Sequence, residues 1–350
     1  MNNYSWKLKK KMKNENTSNK IISQIKQSIE AADKIGIVAH IRPDGDAYGS
    51  VLGLGLALIA AGKTVQMVLR DGVSNTFRHL SGADLIKKAF DDICDLYIVV
   101  DSSDVKRTGG VLVDRQFDIC IDHHVTNDLF ARFNYVDADS VATAAILAEM
   151  IPQLGLEIDK PVASALLTGI LSDTIGFRTS NMNEGALRIA ATLVEKGANI
   201  HSLYNKALIT RPFEAAKYWG FALSRLQRKD GVVWTSLTLE DRVNSGYKQD
   251  DDADLTNLLS AIEESRISVL FVEQSKTHTK VSWRSVPGVD VSVLASEFNG
   301  GGHAAAAGAD CPGTREEVED KVLTRTMAYL RSIENRTFRG EMNTKDGEGK

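Results

Sequence analysis

Three apolar runs in the first half of the chain each stop at residues that can hold a metal ion. Ile37-Val38-Ala39 runs into His40, with Asp44 and Asp46 close behind. Tyr97-Ile98-Val99-Val100 ends at Asp101, and Asp118-Ile119-Cys120-Ile121 ends at Asp122-His123-His124. A fourth acid, Asp173, closes an apolar stretch of helical spacing. One acid after a strand is ordinarily a turn former or a helix cap. Three strand ends of this kind, two with histidine beside carboxylate, point instead to ligands that converge. Histidine and aspartate without cysteine suit manganese or a similar divalent ion better than structural zinc. The six candidates His40, Asp44, Asp46, Asp101, His123 and Asp173 exceed the needs of one ion and match two. A metal pair about 3.5–4 Å apart grips the attacking and leaving oxygens of a phosphoryl displacement and lowers the pKa of water. The reaction class that follows is metal-assisted phosphoester hydrolysis.

Such residues meet only if the strands lie side by side. The pattern predicts a helix over 21–32, a strand ending at residue 39, a ligand-bearing loop, a helix over 51–61 stopped by Gly62, and strands over 64–69, 96–100 and 117–121. Strand and helix alternating at this spacing predict an α/β fold, a doubly wound and mostly parallel sheet. In such a sheet ligands gather beyond the carboxyl ends of the strands. Helices follow over 142–151, 162–171 and 184–196, then a helical stretch over 200–227 broken at Arg211-Pro212. A second, smaller α/β unit is expected from strands over 232–239, 267–273 and 279–286, a helix over 291–298, a glycine cluster and a closing helix over 315–333.

The 350 residues leave room for two domains. A net charge of −4 argues against a surface that coats long nucleic acid. The longest apolar stretch, 51–61, is too short to cross a bilayer, so no membrane is expected. The lysine-rich start lacks the apolar core of an export signal and reads as a disordered basic tail over 1–18. Cys94, Cys120 and Cys311 share no metal-type spacing and suggest reduced thiols in the cytoplasm. Gly49, Gly53 and Gly55 do not form a dinucleotide fingerprint and read as close helix–sheet contacts. His79, His201 and His278 read as surface or packing residues, and residues 334–350 as a polar, frayed tail.

His40-x3-Asp44-x-Asp46, Asp101, Asp122-His123-His124 and Asp173 together resemble the DHH phosphoesterase superfamily. Gly300-Gly301-Gly302-His303, followed by Ala306-Ala307-Gly308, looks like the DHH-associated substrate domain. The resemblance covers about residues 20–332 and is nearest the nanoRNase/pAp phosphatase group. It implies a catalytic domain over 19–197, a helical linker over 198–228 and a substrate-binding domain over 229–333. It also implies two Mn2+ ions, one on His40, Asp44 and Asp101, the other on Asp46, Asp101, His123 and Asp173, with Asp101 shared. His124 would hydrogen-bond the scissile phosphate or departing oxygen, and Asp122 would orient the histidines. Gly300, Gly301, Gly302 and His303 would approach a phosphate, and Arg284 with Ser285 would bind a second phosphate or nucleotide end.

The implied activity is hydrolysis of short RNA to 5′-mononucleotides and removal of the 3′-phosphate of 3′-phosphoadenosine 5′-phosphate (pAp). The resemblance leaves a homodimer open. A phosphodiesterase for cyclic dinucleotides or pApA would use the same core chemistry. A manganese-dependent pyrophosphatase fits less well, because its second lobe reads phosphate with lysines and arginines. A silent nucleotide-binding module is disfavoured by the complete ligand set.

Overall fold

The computed structural model describes residues 18–113 and 115–345, with side chains in the last helix described to residue 333. Residues 1–17 of the expected basic tail, and 346–350 of the polar one, lie outside the described residues. Two compact units divide the chain, Met1–Thr210 and Arg211–Lys350.

The first unit is built on five strands: β1 (Lys34–Val38), β2 (Thr64–Val68), β3 (Leu96–Val100), β4 (Ile119–Asp122) and β5 (Phe133–Val136). They form one wholly parallel sheet in the order β2-β1-β3-β4-β5. The central strands β3 and β4 are buried throughout, which is why they read as unbroken apolar runs. β1 lies between β2 and β3, so the strand order reverses beside it, and a crevice at such a switch point is where open sheets bind ligands. β5 escapes sequence reading because its four residues, Phe-Asn-Tyr-Val, are only half-buried and show no alternation.

Helix α1 spans 18–31, so Ser18 opens the first helix. Helix α2 (Gly45–Ala60) starts six residues earlier than its apolar pattern suggests. Asp44 is its N-cap, accepting from the main-chain N–H groups of Asp46 and Ala47, and Asp46 therefore lies in the first helical turn rather than in a loop. Helices α3 (Thr143–Gln153), α4 (Lys160–Asp173) and α5 (Glu184–Glu195) follow, then α6 (Ile200–Tyr204) with a π turn over Asn205–Ile209.

Glycines set the α2–α4 approach. A Cβ on Gly49 would stand 2.6 Å from the Ala165 carbonyl oxygen and 2.8 Å from the Gly169 nitrogen, and one on Gly53 would meet Leu166. These two glycines serve helix–helix contact; only Gly55, facing Met67 and Ile37, serves the sheet as expected. The Gly49→Ala variant gains at most about 1 kcal/mol of helix propensity. It adds an overlap with rigid main chain worth about 1–3 kcal/mol. A melting temperature a few degrees below wild type is expected, and an unchanged one would show that the contact has slack.

The second unit holds a six-stranded mixed sheet in the order β10-β11-β9-β8-β7-β6. Its strands are β6 (Gln227–Lys229), β7 (Val232–Leu237), β8 (Ile267–Ser275), β9 (His278–Ser285), β10 (Gly301–His303) and β11 (Ala306–Pro312). β7 and β8 are parallel and every other pairing is antiparallel. Helices α7 (Phe213–Ser224), α8 (Leu239–Ser245), α9 (Leu255–Leu259) and α10 (Ser292–Glu297) precede α11 (Arg315–Lys345). α11 runs past the frayed end expected from residue 334, as far as Lys345. Trp283 is fully buried, its indole N–H donating to Thr326 Oγ1.

Candidate metal centre

The carboxyl ends of β1, β3 and β4 bring the strand-end ligands together. Asp101 follows β3 in a left-handed backbone conformation (φ 54°), which costs a non-glycine residue about 1–2 kcal/mol and persists only where the surroundings impose it. Its carboxylate, buried in the site, faces two ways. Oδ2 lies 3.4 Å from His40 Nε2, and Oδ1 lies 3.7 Å from His123 Nε2. His40 Nε2 is also 3.7 Å from Asp44 Oδ2, and His123 Nε2 is 3.5 Å from Asp173 Oδ2. Two donors held about 2.1 Å from a common ion at 90–109° stand about 3.0–3.5 Å apart, close to these spacings. Among the clusters of possible ligand atoms, two consist of the expected ligands alone, His40 with Asp44 and Asp101, and Asp46 with Asp101 and His123, each with ligand atoms within 4.8 Å of one another. Asp101 belongs to both. Asp173, the last residue of α4, joins through His123.

The rings are aimed by their far nitrogens. His40 Nδ1 is 2.8 Å from the Ile41 carbonyl oxygen, which makes Nδ1 a donor and turns Nε2 to the carboxylates. His123 hydrogen-bonds the Ser140 main chain. Asp122 sits at the end of β4, fully buried, and takes His124 rather than His123 as its ring partner, with Nδ1 2.7 Å from Oδ1. It also accepts the His123 main-chain N–H.

Asp46 does a second job. Its carboxylate accepts the main-chain N–H groups of Thr143 (2.7 Å) and Ala144 (2.9 Å), capping α3, whose own N-cap residue, Ala142, offers no side-chain acceptor. Thr143 in turn donates from Oγ1 to Asp101 Oδ1 at 3.1 Å. A Cβ on Gly169 would meet Ala144 Cβ at 2.6 Å and Asp46 Oδ1 at 2.8 Å, so glycine there lets α2, α3 and α4 meet at this carboxylate.

So many acids in one buried place perturb one another. Burial, then the carboxylates of Asp101 and Asp173, push Asp46 well above the usual carboxylate range. Burial, with Asp44 and Asp101, does the same to Asp173. Burial disfavours the charged His40 imidazole, but hydrogen bonds to Asp101 and Asp44 outweigh it and hold the group well above its ordinary value. His123 is raised as well, because the charges of Asp101 and Asp46 outweigh its burial. Partial desolvation works against the charge of Asp44, but His40 and the α2 N–H groups outweigh it and hold this exposed carboxyl low. Mutual repulsion on this scale is the chemistry of a donor set suited to cations.

Comparison with known proteins fits this geometry. The DHH family, N-terminal domain, matches residues 34–170, and the DHHA1 domain matches residues 235–332. A Thermus thermophilus protein named bifunctional oligoribonuclease and PAP phosphatase NrnA is 34% identical over 299 residues, covering 84% of this chain and 88% of its own length. The chain belongs to the DHH family of phosphoesterases. The Bacillus subtilis protein of the same name is 27% identical over 302 residues, covering 82% of this chain and 92% of its own. A Bacteroides fragilis crystal structure, described as an exopolyphosphatase-related protein, superposes with a TM-score of 0.81 at 27% identity, covering 89% of this chain and 97% of that one.

In the DHHA1 unit the glycine cluster forms the edge strand β10 instead of an open loop. A Cβ on Gly300 would strike the Gly308 carbonyl oxygen, and Gly302 (φ 141°) would meet Ala306 and Ala307; Gly301 faces open space. Register sets a row across the sheet, since His303 pairs with Ala306 and Ala306 with Arg284. Residues directly opposite share a face, so His303 and Arg284 point the same way about 10 Å apart, with only a methyl group between them. Arg284 Nε is buried with no hydrogen-bond partner among the described residues. Ser285 is engaged with main chain, its hydroxyl lying 2.6 Å from the Val289 carbonyl oxygen and 3.1 Å from that of Ala304.

Sequence reasoning missed Thr143, Ala144 and Asn127. The run Ser140-Val141-Ala142-Thr143, small and polar before a helix, is a signal for the first two. The amide of Asn127 donates to Asp122 Oδ2 at 2.7 Å, and nothing in its sequence neighbourhood announces that contact. Among the histidines set aside, His79 is half-buried against the Thr76 carbonyl, and His201 and His278 are exposed. The three cysteines are buried and free, and no helix among the described residues is long and apolar enough to cross a membrane.

Proposed function

We propose that this DHH phosphoesterase hydrolyses short oligoribonucleotides to 5′-mononucleotides and removes the 3′-phosphate of pAp. The reading rests on the Asp101 carboxylate, whose two oxygens face two histidines in two ligand groups. His40, Asp44 and Asp101 would hold one divalent ion, and Asp46, Asp101, His123 and Asp173 the other, with manganese the proposed metal. Such a pair supplies Lewis acidity at the phosphate and a water of lowered pKa.

The chain's own residues do the rest. Asp101 sets the spacing of the two groups. Asp122 holds His124 by Nδ1, so that His124 delivers a proton from Nε2 to the departing 3′-oxygen. Both substrates carry a phosphate ester on a 3′-oxygen, so one centre serves both. The first unit, expected over 19–197, is the catalytic domain and the second, expected over 229–333, the substrate-binding domain; the expected helical linker over 198–228 is shared between them, dividing between Thr210 and Arg211. In the second unit Arg284 and His303 grip phosphate together with the main chain of Gly300, Gly301 and Gly302, while Ser285 tethers the segment beside His303. Buried free thiols suit the cytoplasm.

The test is one substrate panel with the full chain, in manganese and in chelator: pAp, RNA of two to five nucleotides, pApA, cyclic di-AMP and pyrophosphate. Turnover of pAp and short RNA, lost with chelator, is expected. Turnover of pApA or cyclic di-AMP with pAp untouched would overturn the substrate assignment. Replacing Arg284 or His303 with alanine removes a charged hydrogen bond worth about 1.5–3 kcal/mol, so KM for pAp is expected to rise by about 10- to 100-fold. An unchanged KM would refute the phosphate role.

A further inference from the structure

One amide joins two of the three ligand-bearing strand ends, those of β3 and β4. Asn127 Nδ2 donates to Asp122 Oδ2 at 2.7 Å and to the Ser102 carbonyl oxygen at 3.1 Å, with Cys120 Sγ 3.5 Å away. Ser102 directly follows Asp101, so the same NH2 group ties the end of β3 to the end of β4. On its other side Asn127 Oδ1 accepts the Leu129 main-chain N–H at 2.8 Å, and two acceptors opposite one donor fix the orientation of the amide. Asp122 is thereby fully used: Oδ1 takes His124 Nδ1 and the His123 N–H, and Oδ2 takes Asn127. Without the amide, one oxygen of a fully buried carboxylate loses its hydrogen bond, and the group is free to turn away from the histidine.

We propose that Asn127 is a positioning residue for proton delivery, holding Asp122, and through it the His124 ring, in register with Asp101. The inference rests on the proposed role of His124. Oδ1 serves only the local turn, whereas Nδ2 serves the site, and that division makes the two roles separable. Asn127→Asp keeps the acceptor for Leu129 but replaces the donor with a carboxylate oxygen facing Asp122.

The experiment compares wild type, Asn127→Asp, Asn127→Ala, His124→Ala and the double variant Asn127→Ala/His124→Ala. Two substrates are used, pAp and a nucleoside p-nitrophenyl phosphodiester, whose leaving group departs without a proton. Expected for Asn127→Asp and Asn127→Ala is a 10- to 100-fold fall in kcat on pAp, the range typical of outer partners that orient a functional group. KM and manganese affinity should stay within about twofold. The loss should shrink on the p-nitrophenyl ester, and Asn127→Ala should cost nothing further once His124 is gone. Equal losses on both substrates, multiplying losses in the double variant, wild-type kcat in Asn127→Asp, or manganese affinity falling in step with kcat would each overturn the inference. A wild type inactive on both esters, or a fully active His124→Ala, would sink the underlying reading and this inference with it. Melting temperatures of all five proteins identify any loss due to misfolding; should Asn127→Ala unfold, Asn127→Asp, which keeps the turn, decides.

Discussion

Replacing Asp101 with asparagine is expected to abolish turnover on every phosphate ester the enzyme accepts. The substitution keeps the shape of the side chain and tolerates the left-handed backbone at this position, since asparagine enters that region readily. What it removes is charge from the one carboxylate that both ligand groups share. His40 and His123 would then face a neutral amide, and one of its two ends presents N–H donors where a cation needs an acceptor. Lewis-acid stabilisation by a metal pair is worth several kcal/mol, so the fall is expected to reach about a thousandfold or more. Steady-state rates on pAp, with calorimetric titration of manganese, check both parts. Near-normal activity in this variant would show that the shared carboxylate does not bridge.

Metal removal should change how the protein's stability depends on pH. In the metal-free site His40, His123, Asp46 and Asp173 all hold their protons to higher pH than they would in the unfolded chain. A group raised in this way stabilises the fold below its unfolded pKa, and that contribution is lost as pH rises through the folded value. For the histidines the loss begins above about pH 6.5. Asp44 and Asp122 are lowered instead, so their contribution is present above about pH 4 and is lost only on acidification. The melting temperature of chelated protein should therefore fall between pH 6 and pH 8. Metal needs the deprotonated ligands, so binding should release protons and tighten with pH, and the slope should flatten or reverse when metal is saturating. At a hundredfold excess over Kd the gain is about 2.7 kcal/mol, or about 5–10 °C for a unit of this size. Scanning calorimetry at the two pH values, and titration in two buffers of different ionisation enthalpy, give the answer. A chelated protein that grows more stable from pH 6 to pH 8 would contradict the assigned ionisation.

The most legible parts of the chain were those under the strictest local constraint. β1, β3 and β4 announce themselves because strands covered on both faces must be apolar along their whole length. The polar residues that interrupt them, His40, Asp101 and Asp122-His123-His124, stand out against that background. Elements without such constraint were harder to read. β5 is half-buried, β6 is exposed, and β10 hides in a glycine cluster that looks like an open loop. α2 was begun too late because its first six residues carry two glycines and an aspartate, poor helix formers on their own. They are helical because Asp44 caps them and because close contact with α4 excludes larger side chains.

By itself, then, the amino-acid order determined the chemical kind of the site and the sheet edge on which it stands. Apolar runs of strand length can stop at histidine and aspartate in one way only, at the rim of the layer. The division of labour among those residues was decided by the tertiary structure. Asp101 is central because its strained backbone turns one oxygen to each histidine. Asp46 is anchored because a helix start 97 residues away needs an acceptor. Asp122 serves His124 because Asn127 holds its other oxygen. Each of these depends on a direction in space between residues from different elements, and spacing along the chain carries no such direction.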